Sequence, residues 1–362
     1  MTQAQDRADT SFSGQWLIEF DSGMPDKIRM TLIRLTKSFG RDDRRFSLPF
    51  LPDQLPGLTR TQVISSGSTV HFQLRRDAGT FDCEGWFKDG DGSGHFTFVA
   101  SPEFVAELRK RGIGAPSDKE QFSMALHDVS LALIEELSRQ GYAQPSLDQL
   151  VRLGEHGVSL DFVQDLKHYG YRAGSIDELI RLRDHGVNSE FIQGMKELGY
   201  RDLSLDELVK AKDHGVNTDF IREMERLEYG RLSLGDLVRV KDHGVNVDFI
   251  REMERLGYGR LPLEELVRIK DHGVNLDFIK GLDRLGYKNL SLDDLVGARD
   301  HGVNVEYIRD LEAIGYKGLS LDQLKRMKDH GVTASFIRDI RKHGLKDLSI
   351  DELIRLKDSG FR

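Results

Sequence analysis

Up to about residue 100 the chain alternates apolar and polar positions with a period of two. In QWLIEF, Trp16, Ile18 and Phe20 share one side, and in KIRMTL so do Ile28, Met30 and Leu32. In TVHFQLRR, Val70, Phe72 and Leu74 oppose His71, Gln73 and Arg75. GTFDCEGWF and GHFTFVA flank KDGDGSG and read as a hairpin. Alternation broken by glycine-rich turns predicts half-buried antiparallel strands. About six or seven short strands predict a small antiparallel β sandwich or barrel. LPFLPDQLPGL, Leu48 to Leu58, carries three prolines and predicts a long connection, not a central strand.

After residue 100 the pattern turns helical, and a longer period of 29 residues lies above it. His127, His156, His185, His214, His243, His272, His301 and His330 are evenly spaced, and so are Phe162, Phe191, Phe220, Phe249, Phe278, Tyr307 and Phe336. Leu203–Arg231 and Leu232–Arg260 differ at only six of 29 positions, so the chain is read in tandem repeats. Each repeat predicts two short helices. Ser204 with Glu207 forms a capping box at the start of the first, and Gly215 suits the C′ position at its end. Asn217 is the N-cap of the second, with Asp219 in the first turn, and Phe220, Ile221, Met224 and Leu227 make its apolar stripe. The prediction is α+β multidomain. A β-domain spans 1–100, and an α-solenoid of 29-residue helix-turn-helix repeats spans 101–362. The solenoid has a leading half-unit at 101–113, eight helix pairs from about 117, and a trailing helix at 349–359.

Composition narrows the function. The net charge is −8 with 31% charged residues of mixed sign, which argues against a general nucleic-acid binder. Cys83 is the single cysteine, so neither an internal disulfide nor a zinc-finger spacing is present. The opening MTQAQDRADTSFSGQW has no basic segment followed by an apolar run. No stretch approaches the roughly 18 apolar residues of a membrane helix. A cytoplasmic protein without membrane attachment is expected.

The recurring histidine beside an aspartate invites a metal or catalytic reading. Equivalent residues in neighbouring repeats should lie about 10 Å apart, too far to share a zinc ion held at roughly 2.1 Å. His185, His214, His243, His272, His301 and His330 are therefore read as a structural signature. Each is expected to close its helix with the ring toward the last carbonyls. The aspartate before it is expected to accept from its own histidine or from backbone N–H groups of the next helix or repeat.

Two basic rows follow. One is Arg152, Arg181, Lys210, Arg239, Arg268, Arg326 and Arg355, with Gly297 the exception; the other is Arg183, Lys212, Lys241, Lys270, Arg299, Lys328 and Lys357. They read first as salt-bridged faces with acid-first pairs such as Asp177–Arg181 and Asp206–Lys210. As partner-binding candidates, Arg181, Lys210, Arg239, Arg268 and Arg326 stand out. DGDGSGHF begins like a calcium loop, but Ala100 stands where the closing glutamate belongs, so a turn is expected. His71 and His95 read as surface histidines. HExxH, G-x-S-x-G and P-loop motifs are absent from the sequence, and no catalytic residue, cofactor or metal is assigned.

RDAGTFDCEGWFKDGDGSGHFTFVASPEFVAELRKRGI, followed by units of the form LGY, LSLDEL, KDHGV and FI, resembles the C-terminal regulatory region of bacterial antirepressor-type metallopeptidases related to beta-lactam sensors. The resemblance covers the chain from about Gly14 onward. The HExxH site and membrane helices of that family are missing, so no peptidase residue carries over. The resemblance implies a regulatory or sensory module. The expected function is a non-enzymatic scaffold whose repeats bind a protein partner. The alternatives are a sensor whose β-domain binds a small ligand, and nucleic-acid binding through the basic rows; self-association stays open.

Overall fold

The computed structural model describes residues 12–20, 28–34, 45–50 and 55–361. Residues 1–11, read above for a leader, and residues 51–54 of the proline-rich connection lie outside the described residues. By contact the chain divides into two units, Met1–Val209 and Lys210–Arg362. The strands therefore share a unit with the first helices, although the sequence period changes at residue 100.

In the first unit, β1 (Ser13–Phe20), β2 (Ile28–Arg34), β3 (Arg45–Phe50), β4 (Ser68–Arg76), β5 (Gly79–Lys88) and β6 (Asp91–Ala100) form one antiparallel sheet. The order is β3-β2-β1-β6-β5-β4. The first and last strands meet at the centre, and β3 and β4 are the edges. A sandwich or barrel was expected; among the described residues the six strands form one sheet with no β3–β4 pairing, and it bends over itself. Trp16 on β1 lies 5.0 Å, centroid to centroid, from Phe72 on β4. Three strand spacings in a flat sheet would separate them by about 14 Å. Two glycines permit this close approach. A Cβ added at Gly85 would sit 2.4 Å from Trp16 Cζ2, and one at Gly94 would sit 2.7 Å from its Nε1. The indole N–H donates to the Glu84 carbonyl at 3.2 Å. Ile18, Met30, Val70, Phe81, Phe87 and Phe96 fill the rest of the concave side.

Leu48–Phe50 was expected in a connection but belongs to β3. Pro49 is tolerated there because β3 is an edge strand and need not donate on its open side. The helix α1 (Arg60–Ile64) was not anticipated, although its capping box, Thr59 with Gln62, is written in the sequence. The β5–β6 hairpin turns on Asp89 (φ 53°) and Gly90 (φ 96°), both left-handed as a two-residue turn requires. Asp91 and Ser93 of the calcium-like stretch are thus strand residues.

Helices follow: α2 (Pro102–Lys110), α3 (Asp118–Leu126), α4 (Leu131–Arg139), α5 (Leu147–Glu155), α6 (Leu160–His168), α7 (Ile176–Asp184), α8 (Ser189–Glu197) and α9 (Leu205–Asp213), which spans the unit boundary. The sheet packs on α3. Phe122 stacks on Phe12 at 4.9 Å and meets Phe98 edge-on at 5.2 Å. The Gln121 amide donates to the carbonyls of Ala78 (2.8 Å) and Ser101 (2.7 Å). Arg76 pairs with Asp128 at 2.9 Å, and the Asp77 carboxylate accepts from the Leu131 N–H at the start of α4.

The second unit continues with α10 (Thr218–Arg226), α11 (Leu234–Asp242), α12 (Val247–Met253), α13 (Leu263–Asp271), α14 (Leu276–Arg284), α15 (Leu292–Asp300), α16 (Val305–Ala313), α17 (Leu321–Asp329), α18 (Ala334–Lys342) and α19 (Ile350–Asp358). The 18 helices from α2 onward meet the expected number, and their ends follow the predicted caps. Asn217, Asn246, Asn275 and Asn304 each accept from the N–H three residues on. His243, His272, His301 and His330 are C-caps, each before a glycine with φ of 67–72°.

Candidate interaction surfaces

The histidine backbones cap their own helices, but the side chains link one helix to another. In the first unit, the His156 ring Nδ1–H donates to Asp184, 28 residues on at the end of α7. In the second unit the same contact joins His214 to Asp242 (2.5 Å), His243 to Asp271, His272 to Asp300 (2.6 Å), His301 to Asp329 (2.7 Å) and His330 to Asp358 (2.9 Å). His185 caps α7 with its backbone in the same manner. Two expectations are corrected. The ring does not turn to its own helix's carbonyls, and Asp242 does not pair with its neighbour His243. Residues one apart on a helix face different directions, so each aspartate meets the histidine of the preceding helix pair. The imidazole supplies what a carboxylate at a helix C-terminus lacks. Because a carboxylate only accepts, the ring proton belongs on Nδ1.

The first basic row also points to the next helix pair. Arg152 pairs with Asp177 (2.9 Å), Arg181 with Asp206, Arg239 with Glu264 (3.8 Å), Arg268 with Asp293 (3.0 Å) and Arg326 with Asp351 (2.7 Å). Each pair spans 25 residues. Asp177 and Asp206, expected to serve Arg181 and Lys210 within their own helices, are met by Arg152 and Arg181 instead. The carboxylates of Glu265 and Asp293 raise the affinity of the Arg268 guanidinium for its proton. Lys210, the remaining candidate, is exposed on α9.

The second row covers aromatic rings. Arg183 stands over Phe162 at 5.2 Å in the first unit. In the second, Lys241 covers Phe220 (4.9 Å), Lys270 covers Phe249 (4.9 Å), Arg299 covers Phe278 (4.9 Å), Lys328 covers Tyr307 (4.5 Å) and Lys357 covers Phe336 (4.7 Å). Each such contact contributes about 0.5–1 kcal/mol at an exposed site. A third series was not anticipated: the hydroxyls of Tyr229, Tyr287 and Tyr316 donate to the carbonyls of Leu261, Leu319 and Leu348, each 32 residues on, at 2.7–2.8 Å. The even spacing of the tyrosines was legible, but the target, a carbonyl in the next loop, had no side-chain signal.

On the convex side of the sheet, His71, Glu84 and His95 stand in one cross-strand row, with 4.0 Å between His71 Nε2 and Glu84. Among the described residues, no group of three or more His, Cys, Asp or Glu side chains is placed to hold a metal ion. No helix among them is long and apolar enough to cross a membrane. Burial pushes the thiol of Cys83 far above its ordinary range, which leaves it a poor nucleophile. Among the described residues, the large exposed apolar side chains are Leu17, Ile64, Trp86 and Val99. No family model matches the chain, and neither a curated protein nor a solved structure matches it.

Proposed function

We propose that the chain is a non-enzymatic interaction module in which the helices form a solenoid of 29-residue repeats, with the sheet at its N-terminal end, and that the repeats bind an extended protein partner. One observation carries this reading. The same contacts return at fixed separations of 25 and 28 residues within each unit. A surface that repeats at constant spacing suits a partner that extends along it. The resemblance to the regulatory region of antirepressor-type metallopeptidases points the same way, toward a regulatory role.

Nucleic-acid binding is the weaker reading. Arginines of the first basic row are ion-paired and cations of the second lie on aromatic rings, so phosphate would have to displace partners already in place. The test is capture from host lysate on the full chain at moderate salt, beside a variant carrying Arg239→Ala, Arg268→Ala and Arg326→Ala. These residues pair at the surface with Glu264, Asp293 and Asp351, and exposed ion pairs contribute only about 0–1 kcal/mol, so the fold should survive the change. A discrete protein retained by the wild type and lost by the variant supports the reading. Nucleic acid released steeply by salt, or an empty column, overturns it.

A further inference from the structure

The convex side of the sheet carries a groove that none of the ladders uses. Leu17 on β1 and Trp86 on β5 both register with Ser93 on β6, so a small residue lies between two large ones. The walls are two strand spacings apart, about 10 Å. The groove holds about 420 Å³, and Glu19, Lys88, Asp89 and Asp91 rim its hairpin end. Trp86 is 50% exposed and Leu17 38%, high values for side chains of their size.

The rim selects the occupant. Among the described residues, the lining holds three carboxylates and one ammonium. Lys88 registers with Asp91, and Arg29, outside the lining, registers with Glu19, so Asp89 is the carboxylate in excess. An apolar ligand would strip water from carboxylates and return nothing, which costs free energy. An anion would be repelled. Among the described residues, no group of side chains here is gathered to hold a metal ion. An indole face beside carboxylates suits an organic cation, because tryptophan is the strongest aromatic partner for one. We propose that this groove takes an arginine or lysine side chain of an extended basic peptide, its stem against Trp86 and Leu17 and its charged head toward Glu19, Asp89 and Asp91. The lining residues belong to strands and the hairpin turn, none to a helix, so the proposal holds whether or not the helices bind a partner.

The probe is a labelled penta-arginine peptide, titrated into the full chain at low salt and followed by anisotropy and by tryptophan emission. Two tryptophans are present, and Trp16 is fully buried, so a change in emission on binding reports Trp86. Saturable binding is expected, at least tenfold weaker for Trp86→Ala and for the double variant Asp89→Asn/Asp91→Asn. A charge-matched double variant on the helices, Asp219→Asn/Asp248→Asn, should bind as the wild type does. Equal binding by Trp86→Ala, equal loss in the helix variant, or no saturation at all overturns the proposal. So does a shift of Trp86 emission by calcium ion alone, which would make the rim a metal site, or equal binding of penta-glutamate.

Discussion

At the scale of single residues, two small groups decide more than their size suggests. Each ladder histidine is a half-exposed donor to an aspartate 28 residues away, and exposed ion pairs contribute about 0–1 kcal/mol. His243→Ala should therefore lower stability by about 0.5–1 kcal/mol. If the contact is the cause, Asp271→Ala in the same chain should add little, as a double-mutant cycle followed by chemical denaturation would reveal. Fully additive losses would assign the effect to the caps instead. Gly94 is less forgiving. A Cβ there would lie 2.0 Å from the Glu84 carbonyl oxygen and 2.7 Å from Trp16 Nε1. Gly94→Ala should cost about 3 kcal/mol by overpacking, read as a lower midpoint and a change in Trp16 emission. The sequence shows that these glycines interrupt a strand pattern. It does not show that the Trp16 indole lies across Gly94 of the adjacent strand and Gly85 of the one beyond, because that depends on pairing order.

Among elements, the helices were legible and the sheet was only half so. Helix ends depend on contacts three or four residues apart: Ser146 with Gln149, Ser291 with Asp294, Ser349 with Glu352. Such local signals survive any tertiary arrangement. Strand alternation is equally local, and β1, β2 and β4 to β6 fall where it predicts. Pairing is not local, so neither the β1–β6 contact nor the single sheet could be read from it. Pro49 misled for a related reason: proline excludes a central strand, but whether a strand is central or at an edge is a property of the sheet. The caps allow a clean test. Ser291 accepts from Asp294 N–H at 3.0 Å and donates to its carboxylate at 2.7 Å. Ser291→Ala should lower stability by about 1 kcal/mol. Pro262→Ser should change it by less, because the cap gained is offset by the chain freedom that proline had removed. A larger effect at Pro262 than at Ser291 would contradict this account of the helix starts.

For the whole molecule, the buried tyrosines predict a loss of stability at alkaline pH. Burial raises the phenol pKa of Tyr142, Tyr171, Tyr229, Tyr258, Tyr287, Tyr307 and Tyr316 above the ordinary 10.0, and that of Tyr307 to about 12. These groups occur in both units, so the effect is not confined to one. A folded pKa above the unfolded one means that the unfolded chain gives up its protons first. The associated stability is complete below pH 10 and declines as the pH rises from about 10 toward 12. The Tyr307 hydroxyl also donates to the Val332 carbonyl at 2.8 Å, a bond that ionisation abolishes. Its shift alone corresponds to on the order of 3 kcal/mol. Phenylalanine occupies the equivalent sequence position in Phe220, Phe249 and Phe278, so Tyr307→Phe should fold, losing about 1 kcal/mol at neutral pH with the hydrogen bond. Between pH 10 and 11.5 the variant should lose less further stability than the wild type. Denaturation midpoints across that range, with absorbance at the tyrosinate band, would check both. Parallel stability curves for variant and wild type would show that Tyr307 does not govern the alkaline loss, whereas convergence at high pH would assign it to this buried hydroxyl.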